Sequence, residues 1–386
     1  MKVLFLTHSF PRFSGDVPGS FLHRLAIALK AAGVEVRVIA PSARDLKTRE
    51  DIDGIHVERF RYAPAAYETL AYTGNMAQDV AASWSARITL TSFLGSELVR
   101  SAWERRSFQP DVIHAHWWFP SGVVGMSLAA ITGKPLVTTM HGTDVRMAVS
   151  VKPSRAVFRQ VIRKSSRITT VSSWLASQVQ EIVPGASPIV APMPVAVERF
   201  QPHGDRERNR FLFAGRLNRQ KGLDHLLRAF AAMKGLAMLD VVGEGTNEKE
   251  LKLLASQLGI SDRVTWHGQI TQPELVRKYQ EATAVVMPSI DEGLGLVAAE
   301  ALLCETPVIA FRSGGLTDIV KHDLTGLLVT PGQTHELAAA IDVVLERPDM
   351  VAALARNGRQ HVLENFSPES AARRYMDIYG QAIGKP

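Results

Sequence analysis

Short apolar runs alternate with longer amphipathic stretches along the whole chain. Runs such as VLFL (residues 3–6) and FLF (residues 211–213) have the length of buried strands. Between such runs lie stretches like FLHRLAIALKAAG, in which apolar residues recur at helical spacing until a glycine, Gly33, stops the helix. Strand–helix alternation of this kind predicts α/β units built on a parallel sheet.

The pattern predicts one sheet in each half of the chain. The expected first-half strands lie in KVLFLTH, EVRVIAP, GIHVERF, DVIHAHW, PLVTTMHG and RITTVSS, and the second-half strands in RFLFAGR, MLDVVGEG, VTWHGQ, AVVMPS, TPVIAF and GLLVTP. Residues 188–202 separate the two sets, because they carry four prolines and no helical period. We therefore expect two Rossmann-like, doubly wound domains, residues 1–190 and 191–366, facing across a ligand cleft at the carboxyl ends of their strands.

Length and composition agree with this division. A chain of 386 residues exceeds what one core usually supports, and 46% apolar with 21% charged residues is typical of globular proteins. Cys304 is the only cysteine, which excludes an intramolecular disulfide and a cysteine-rich metal site. VLFL is too short for a signal peptide, and no apolar run is long enough to predict a transmembrane helix. We expect a cytoplasmic protein.

Charge is unevenly distributed between the halves. Residues 1–200 hold 23 Lys and Arg against 15 Asp and Glu, a net charge of +8, whereas residues 201–386 carry −2. Within residues 151–167, four arginines recur at every fourth position: Arg155, Arg159, Arg163 and Arg167. Such a basic stripe suits peripheral docking on the anionic inner face of the cytoplasmic membrane, or equally the solvated face of a packed helix. No aromatic–basic module is present, so nucleic acid is not an expected partner.

The segment SIDEGLGLVAAE (residues 289–300) places two carboxylates at a strand–helix turn. Glu292 lies in the turn and Glu300 in the second turn of the helix that follows, so the two are not adjacent on one helix face. Gly293 and Gly295 permit a tight turn whose N–H groups are aimed at a ligand, and they let a phosphate approach the backbone. Carboxylates that bind ribose hydroxyls have a precedent in dinucleotide sites, while an acidic residue favoured by the helix dipole is the plain alternative.

Two cations follow the strand RFLFA in the loop GRLNRQKG. Arg216 and Lys221 suit a diphosphate, Arg through a bidentate fork and Lys as a point charge, although a solvated basic loop would look the same. In VVGEG, Gly243 and Gly245 form only a fragment of a dinucleotide fingerprint, because Glu248 occupies the third glycine position. Binding of NAD is therefore disfavoured at this turn.

Histidines end two strands of the first half. His114 and His116 lie on one face of a strand, where they line a sugar or acceptor site or pack in the core. His141 begins the polar turn HGTD, which ends at Asp144. The Asp-Ile-Asp at residues 51–53 is a weak metal motif, and we interpret it as a turn before a strand.

Five second-half motifs together resemble the retaining glycosyltransferases of family 4. In order they are GRLNRQKG, VVGEG, PSIDEGLGLVAAEALLCETPVIA, SGGLTDIV and TGLLV. The first-half motifs SFPRFSGDVPGSF, HAHWWFPSG, HGTD and VSSWLASQV extend the resemblance over nearly the whole chain. HAHWW and HGTD are similar to segments of bacterial exopolysaccharide and lipopolysaccharide glycosyltransferases. The resemblance implies the GT-B fold, in which a C-terminal helix, here residues 367–386, crosses back to the first domain.

For the second domain the resemblance implies a nucleotide-sugar site. Arg216 and Lys221 would hold the diphosphate, and Glu300 would bind the ribose. Glu292 would contact the hydroxyls of the donor sugar, beside the backbone N–H groups of Gly293, Leu294 and Gly295. Glu292, Arg216 and Lys221 are thus expected to be catalytic as well as binding residues.

The resemblance also assigns residues around this donor. Gly243 lies in the nucleotide-side loop, and Gly19 of the first-domain glycine loop approaches the phosphate. His141 is expected beside the transferred sugar as a catalytic residue. We expect Asp144 and His116 to line the substrate site with it.

The resemblance implies transfer of a hexose-type sugar from a UDP- or GDP-sugar to a hydroxyl of a glycan or lipid-linked glycan. The anomeric configuration would be retained, and no metal or other cofactor would be needed. A sugar-nucleotide epimerase of the same fold and a non-catalytic nucleotide-binding relative are the alternatives. Two positions depart from the family pattern: Glu305 stands where glycine is common, and Ala196 where aspartate is common.

Overall fold

A computed structural model of the chain describes residues 1–72, 76–204, 206–207 and 209–384. These residues form two compact units: unit 1 comprises Met1–Pro194 and Pro368–Pro386, and unit 2 comprises Val195–Ser367. The junction lies four residues beyond the one expected from the prolines, and the last two residues of the predicted terminal segment, 385 and 386, lie outside the described part. No helix in that part is long and apolar enough to cross a membrane.

Unit 1 is built on an eight-stranded sheet. Its strands are β1 (Lys2–Leu6), β2 (Glu35–Pro41), β3 (Arg49–Ile52), β4 (Ile55–Phe60), β5 (Val112–His116), β6 (Leu136–Met140), β7 (Arg167–Thr170) and β8 (Ile189–Val190). The spatial order is β3-β4-β2-β1-β5-β6-β7-β8, with every pair parallel except β3 and β4. The strand order therefore reverses direction between β1 and β5. Doubly wound α/β sheets bind their ligands at such a reversal.

In the part of unit 1 that the structure describes, seven α-helices connect these strands. They are α1 (Ser20–Ala31), α2 (Met76–Ala82), α3 (Trp84–Phe108), α4 (Val123–Thr132), α5 (Thr143–Ser150), α6 (Ser154–Lys164) and α7 (Ser173–Ile182). Local signals set several helix starts: the Ser83 and Ser172 hydroxyls accept from backbone N–H groups in the first turns of α3 and α7. The core contains Leu4, Leu6 and Phe93, all fully buried.

Unit 2 has a six-stranded, fully parallel sheet. Its strands are β9 (Arg210–Ala214), β10 (Met238–Val242), β11 (Val264–Gly268), β12 (Ala284–Met287), β13 (Val308–Phe311) and β14 (Gly326–Val329), in the order β11-β10-β9-β12-β13-β14. The helices are α8 (Leu223–Ala232), α9 (Glu248–Gln257), α10 (Gln272–Glu281), α11 (Leu296–Leu303), α12 (Leu316–Ile319), α13 (Thr334–Glu346) and α14 (Pro348–Phe366). This is the doubly wound order of a Rossmann-like domain, and it reverses between β9 and β12.

The last helix, α15 (Pro368–Ile383), belongs to unit 1. It packs against α1 and strands β5 to β7 and buries Tyr375 and Tyr379 completely. The Tyr379 hydroxyl lies 2.7 Å from His114 Nδ1, and the other ring nitrogen of His114 lies 2.7 Å from Thr139 Oγ1. His114 is thus a core residue of unit 1, which settles the alternatives that the sequence left open for it.

Three features of unit 1 differ from the sequence-based expectation. Asp51 is not in a turn but in β3, which pairs antiparallel with β4 through a tight turn with positive φ at Asp53 and Gly54. The pattern also missed β8, only two residues long. The basic stripe is interrupted, because α6 ends at Lys164 and Arg167 instead begins β7, paired beside Val137.

Candidate functional site

The carboxyl ends of β9 and β12 form the centre of the candidate site in unit 2. These two strands are hydrogen-bonded neighbours, and each is followed by a glycine-containing loop that leads into a helix. The loop after β9 carries Arg216 and Lys221, and the loop after β12 carries Glu292. The predicted diphosphate and sugar residues therefore come from the two loops that flank the reversal of strand order in this sheet.

Lys221 and Glu292 form a direct ion pair. Lys221 Nζ lies 2.5 Å from Glu292 Oε2, and the two side chains are only 16% and 17% exposed. A short turn over residues 219–221 positions the lysine, and Asn218 Oδ1 accepts from the Lys221 N–H at 3.2 Å. The structure thus brings together two residues that are 71 positions apart in sequence. Any anion that binds Lys221 will share the positive charge of the lysine with the Glu292 carboxylate.

Backbone hydrogen bonds fix the conformation of the Glu292 loop from two sides. The Ile290 N–H donates to the Gln220 carbonyl at 2.9 Å, which links the two loops directly. From the opposite side, the Gly315 N–H donates to the Glu292 carbonyl at 2.7 Å, and the Asp291 N–H donates to Ser313 Oγ at 3.0 Å. The SGGL motif was noted in the sequence only as part of a resemblance, and the structure shows that it supports the acidic loop.

Glu300 is held separately from this pair. It lies on the second turn of α11, half-buried, and its Oε2 accepts from the Tyr279 hydroxyl at 3.0 Å. Tyr279 lies on α10 and is fully buried, and burial followed by the neighbouring Glu300 charge raises its pKa well above the usual value. The phenol therefore stays protonated as a donor. No sequence signal indicated Tyr279, because a buried helix tyrosine looks like core.

Gly293, Leu294 and Gly295 lead from Glu292 into α11. Leu294 and Gly295 are buried, and Gly295 is the residue that precedes the first helical turn, with φ of 93°. It has no side chain to cap the helix, and its carbonyl accepts from the Ala298 N–H at 2.9 Å.

Gly243 follows β10, which pairs with β9 on the side opposite to β12, and Arg216 begins the Lys221 loop itself. Gly243 has φ of 125°, and a Cβ on it would overlap the carbonyl oxygen of Gly215, so only glycine allows the two loops to touch. The Gly215 N–H donates to the Val242 carbonyl at 3.0 Å, which keeps these loops together. Arg216 is exposed and therefore accessible to a ligand.

In unit 1, an aromatic cluster lies at the carboxyl ends of β1, β5 and β6. His116 Nδ1 lies 3.3 Å from His141 Nε2, and the ring of Trp117 is 4.3 Å from the rings of both His8 and His141. The sequence indicated His116 and His141 as site residues, but not His8. The signal for His8 was its position, two residues after the central strand β1.

Two nitrogens of this cluster are buried without a hydrogen-bond partner among the described residues: His8 Nδ1 and His116 Nε2. Burial lowers the pKa of His8 to about 4 and, with smaller contributions from neighbouring histidines, lowers the pKa values of His116 and His141 well below the usual range. The rings are therefore neutral near pH 7. Unsatisfied buried nitrogens are costly, and a ligand hydroxyl would satisfy them.

The other predicted residues of unit 1 shape this cluster. Gly19 precedes α1 with φ of 72°, and a Cβ on it would lie 2.6 Å from the Ser9 carbonyl oxygen, so glycine keeps the loop after β1 closed. The buried Asp144 carboxylate accepts from the N–H groups of His141, Gly142 and Trp118 at 2.9–3.2 Å. Burial raises the pKa of Asp144 despite these bonds. The hydrogen bonds that the Asp144 carboxylate accepts thus come from the backbone that carries His141 and Trp118.

Within the described residues, no group of three or more His, Cys, Asp or Glu side chains is arranged to hold a metal ion. Of the Asp-Ile-Asp carboxylates, Asp51 closes the β3–β4 turn by accepting from the Gly54 N–H at 2.5 Å, and Asp53 accepts from the hydroxyl of Ser14, in the loop after β1, at 3.0 Å.

Comparison with known proteins covers both units. The model of the family "Glycosyl transferases group 1" matches residues 196–361, and that of "Glycosyl transferase 4-like domain" matches residues 18–193. The D-inositol 3-phosphate glycosyltransferase of Thermobispora bispora is 31% identical over 409 positions, which cover 96% of this chain and 91% of the relative.

Solved structures show the same architecture. Sucrose-phosphate synthase from Thermosynechococcus elongatus superimposes with a TM-score of 0.80 at 23% identity, covering 99% of each chain. Anabaena HepE in complex with UDP gives a TM-score of 0.75 at 20% identity, covering 98% of this chain and 99% of the other. The predicted α/β fold of two Rossmann-like sheets is confirmed. The chain belongs to the group 1 glycosyltransferases and has the GT-B fold.

Proposed function

We propose that this protein transfers a hexose-type sugar from a UDP- or GDP-sugar to a hydroxyl of a glycan or lipid-linked glycan, with retention of anomeric configuration. The observation that carries the proposal is the Lys221–Glu292 pair on the two loops that flank the strand-order reversal of unit 2. A cation that can bind phosphate and a carboxylate that can bind sugar hydroxyls lie side by side there, as a nucleotide sugar requires. HepE has been solved with UDP-glucose, which supports this donor class.

In the proposed donor complex, Arg216 and Lys221 hold the diphosphate. Glu300, oriented by Tyr279, binds the ribose hydroxyls. Glu292 and the N–H groups around Leu294 hold the sugar. As the bond from the anomeric carbon to the β-phosphate breaks, negative charge grows on the diphosphate and the two cations stabilise it. The proposal therefore assigns no metal or other cofactor to the reaction.

Unit 1 carries the groups proposed to contact the sugar and the acceptor. His141 and His116 are neutral near pH 7 and offer ring nitrogens to hydroxyl groups. Asp144 holds the turn that carries His141, and Gly19 keeps the loop after β1 compact. The acceptor hydroxyl attacks on the face that the diphosphate leaves, and the leaving phosphate oxygen takes its proton, so configuration is retained.

A lipid-linked acceptor would bring the protein to a membrane on the cytoplasmic side, and residues 151–167 are the basic segment proposed for that contact. Two arginines of α6 also have structural bonds. Arg155 donates to the Ala148 and Val149 carbonyls, and Arg159 donates to the Ile182 carbonyl. Bacterial exopolysaccharide or lipopolysaccharide assembly is the proposed setting.

A thermal-shift panel with UDP, GDP, ADP, NAD and common nucleotide sugars tests the donor proposal. A ligand at 100 times its Kd stabilises the folded state by about 2.7 kcal/mol, which is a shift of roughly 5–10 °C for a unit of this size. We expect UDP or GDP to give the shift, and Arg216→Ala to reduce it. Arg219→Ala is the matched control, because Arg219 is an exposed arginine of the same loop.

A shift with NAD alone, or equal shifts for Arg216→Ala and the wild-type protein, would contradict the donor assignment. Product analysis separates the remaining possibilities. A transferase consumes the donor only with an acceptor or water and gives a retained anomer by NMR, whereas an epimerase converts the nucleotide sugar on its own. Turnover that persists in EDTA is expected, and its loss would contradict the metal-free mechanism.

A further inference from the structure

A cavity in unit 2 lies at the opposite end of the sheet from the candidate donor site. It is bounded by the residues just before β9, β12 and β13 and by the helices α13 and α14. Its volume is about 390 Å³, and ligand pockets typically enclose roughly 300–1,000 Å³. Because the donor loops follow the carboxyl ends of β9 and β12, this cavity is no part of the donor site.

Glu305 lines this cavity and occupies a backbone position that suits glycine. It follows the end of α11 with φ of 58°. Its N–H donates to the Leu302 carbonyl at 2.9 Å, and the next N–H, that of Thr306, donates to the Ala301 carbonyl at 2.9 Å. These two bonds form a Schellman motif, in which the left-handed residue is usually glycine because a Cβ is unfavourable there. Helix termination therefore does not explain a glutamate at this position, and a residue kept in such a conformation points to a function.

Bonds within the unit do not explain the Glu305 side chain either. Within the described part of the chain, its carboxylate makes no hydrogen bond and no ion pair. Arg206 also lines the cavity, and its Nη2 donates to the Cys304 carbonyl at 3.2 Å. Burial lowers the pKa of Arg206 and the Glu305 charge partly offsets this effect, so the two charges lie near each other without forming an ion pair. Since a guanidinium has five N–H donors, most of the donors of Arg206 remain available.

The rest of the described lining adds a second cation and an apolar wall. Arg356, on α14, is exposed. Glu207 lines the cavity as well, but its charge is compensated by Arg210, which lies 2.5 Å away. The apolar wall consists of buried side chains of α13 and α14: Val344, Val351 and Ala355. The cavity thus offers two guanidinium groups, one carboxylate and an apolar surface to a ligand.

We propose that this cavity binds a small zwitterion with an apolar body, of which a free α-amino acid with an apolar side chain is the simplest example. The ligand carboxylate would accept from Arg206 and Arg356, and the ligand ammonium group would donate to Glu305. The ligand side chain would pack on Val344 and Val351. A purely anionic ligand would be repelled by Glu305, and a purely cationic ligand by the two arginines. The inference does not depend on the proposed function, because none of the donor residues lines the cavity.

Calorimetry of the whole chain with free leucine and phenylalanine, without nucleotide, tests the proposal. We expect at least one of them to bind with a Kd of about 1 mM or lower. Three compounds that each lack one part of leucine are compared with it. Isocaproate lacks the ammonium group, isopentylamine lacks the carboxylate, and glycine lacks the apolar side chain. Each should bind about 10-fold more weakly than leucine, because each loses a charge-assisted hydrogen bond or the apolar contact.

Glu305→Gly tests the location of the site, and it should fold because glycine suits the backbone there. It should weaken the binding of leucine about 10-fold but not that of isocaproate, which has no ammonium group to lose. Asp323→Gly is the matched control, because Asp323 is an exposed carboxylate with φ of 59° that does not line the cavity. Ala352→Trp fills the cavity from an exposed position on α14 and should abolish the binding of leucine.

Several outcomes would overturn the proposal. Neither amino acid binds the wild-type protein at concentrations up to about 10 mM, or Glu305→Gly binds leucine as tightly as Asp323→Gly does. Isocaproate that binds as tightly as leucine would make the cavity a site for simple carboxylates, and isopentylamine that does so would make it a site for cations. Unfolding midpoints measured for every variant show whether lost binding is lost folding. If Ala352→Trp does not fold, the comparison of Glu305→Gly with Asp323→Gly decides the proposal.

Discussion

The Lys221–Glu292 pair permits a test that separates a role in catalysis from a role in structure. Lys221→Met keeps most of the side-chain stem and removes the charge, and Glu292→Gln keeps the shape of its partner. Since both side chains are less than one fifth exposed and 2.5 Å apart, we expect the pair to contribute about 1.5–3 kcal/mol to stability as a charge-assisted hydrogen bond. Surface pairs contribute less, about 0.3–0.5 kcal/mol for helical i,i+4 pairs.

The effect on turnover should be larger than the effect on stability. Removal of one group that stabilises charge in a transition state typically costs about 10²–10³ in rate, or about 2.7–4 kcal/mol. If Lys221 neutralises the leaving diphosphate, kcat/KM of Lys221→Met should be lower by about 10²–10³. Adding Glu292→Gln in the double variant should not restore kcat/KM. Donor turnover, followed by nucleotide release, and denaturant unfolding are measured for both single variants and the double variant.

The refuting result is a rescue. If the double variant turns over much faster than Lys221→Met, the lysine acts only by neutralising Glu292, and its assignment to the diphosphate is wrong. Near-normal kcat/KM for Lys221→Met alone would refute it equally. The control is the same double-mutant cycle on Lys252 and Glu248, an exposed i,i+4 pair at 2.7 Å. The coupling free energy between these two residues should be small.

Three further predictions concern buried groups. Tyr279→Phe removes the donor to Glu300 and should weaken UDP or GDP binding by about fivefold to tenfold, with less loss for a 2′-deoxy nucleotide, by calorimetry; equal losses would contradict a ribose contact. Gly243→Ala should destabilise the protein by more than the ~1 kcal/mol expected for Gly259→Ala, a left-handed glycine with open space around it, in denaturant unfolding; equal losses would show that the loop contact is unimportant. Burial raises the pKa of Glu97 to about 8, so the folded state keeps a proton that the unfolded state loses above pH 4.5, and stability falls as pH rises through that window. Between pH 4 and pH 7 the wild-type protein should therefore lose about 3 kcal/mol of stability relative to Glu97→Gln, which lacks this titrating group; parallel pH profiles for the two proteins would refute this.

The periodicity of apolar residues predicted all the strands except β3 and β8, because most strands here are buried on both faces and therefore form continuous apolar runs in the sequence. The strand β3 was missed although a turn signal was present. Its Asp53-Gly54 pair is flanked by Ile52 and Ile55, which is the typical pattern of a tight hairpin. Because β3 is an edge strand that is buried only in part, it carries charged residues and lacks the apolar run that predicts a strand.

Contacts between distant residues were the part that the sequence could not provide. The motif around Glu292 predicted a turn, but its pairing with Lys221 depends on β9 and β12 being neighbours. Likewise, His114 looked like a candidate site residue until the fold placed Tyr379, 265 positions away, against its ring. Spacing along the chain cannot distinguish a histidine that faces a ligand from one that faces a helix packed from the other end.

Because α15 completes unit 1, the order of synthesis separates the folding of the two units. The 173 residues of unit 2 are made after strands β1 to β8 and before the helix that covers His114. At about 5–20 residues per second, that interval lasts roughly 10–35 s on the ribosome. At the end of this interval unit 2 has all its strands, whereas the surface of unit 1 that α15 will cover has stayed open throughout. The unit that begins first is therefore the unit that finishes last.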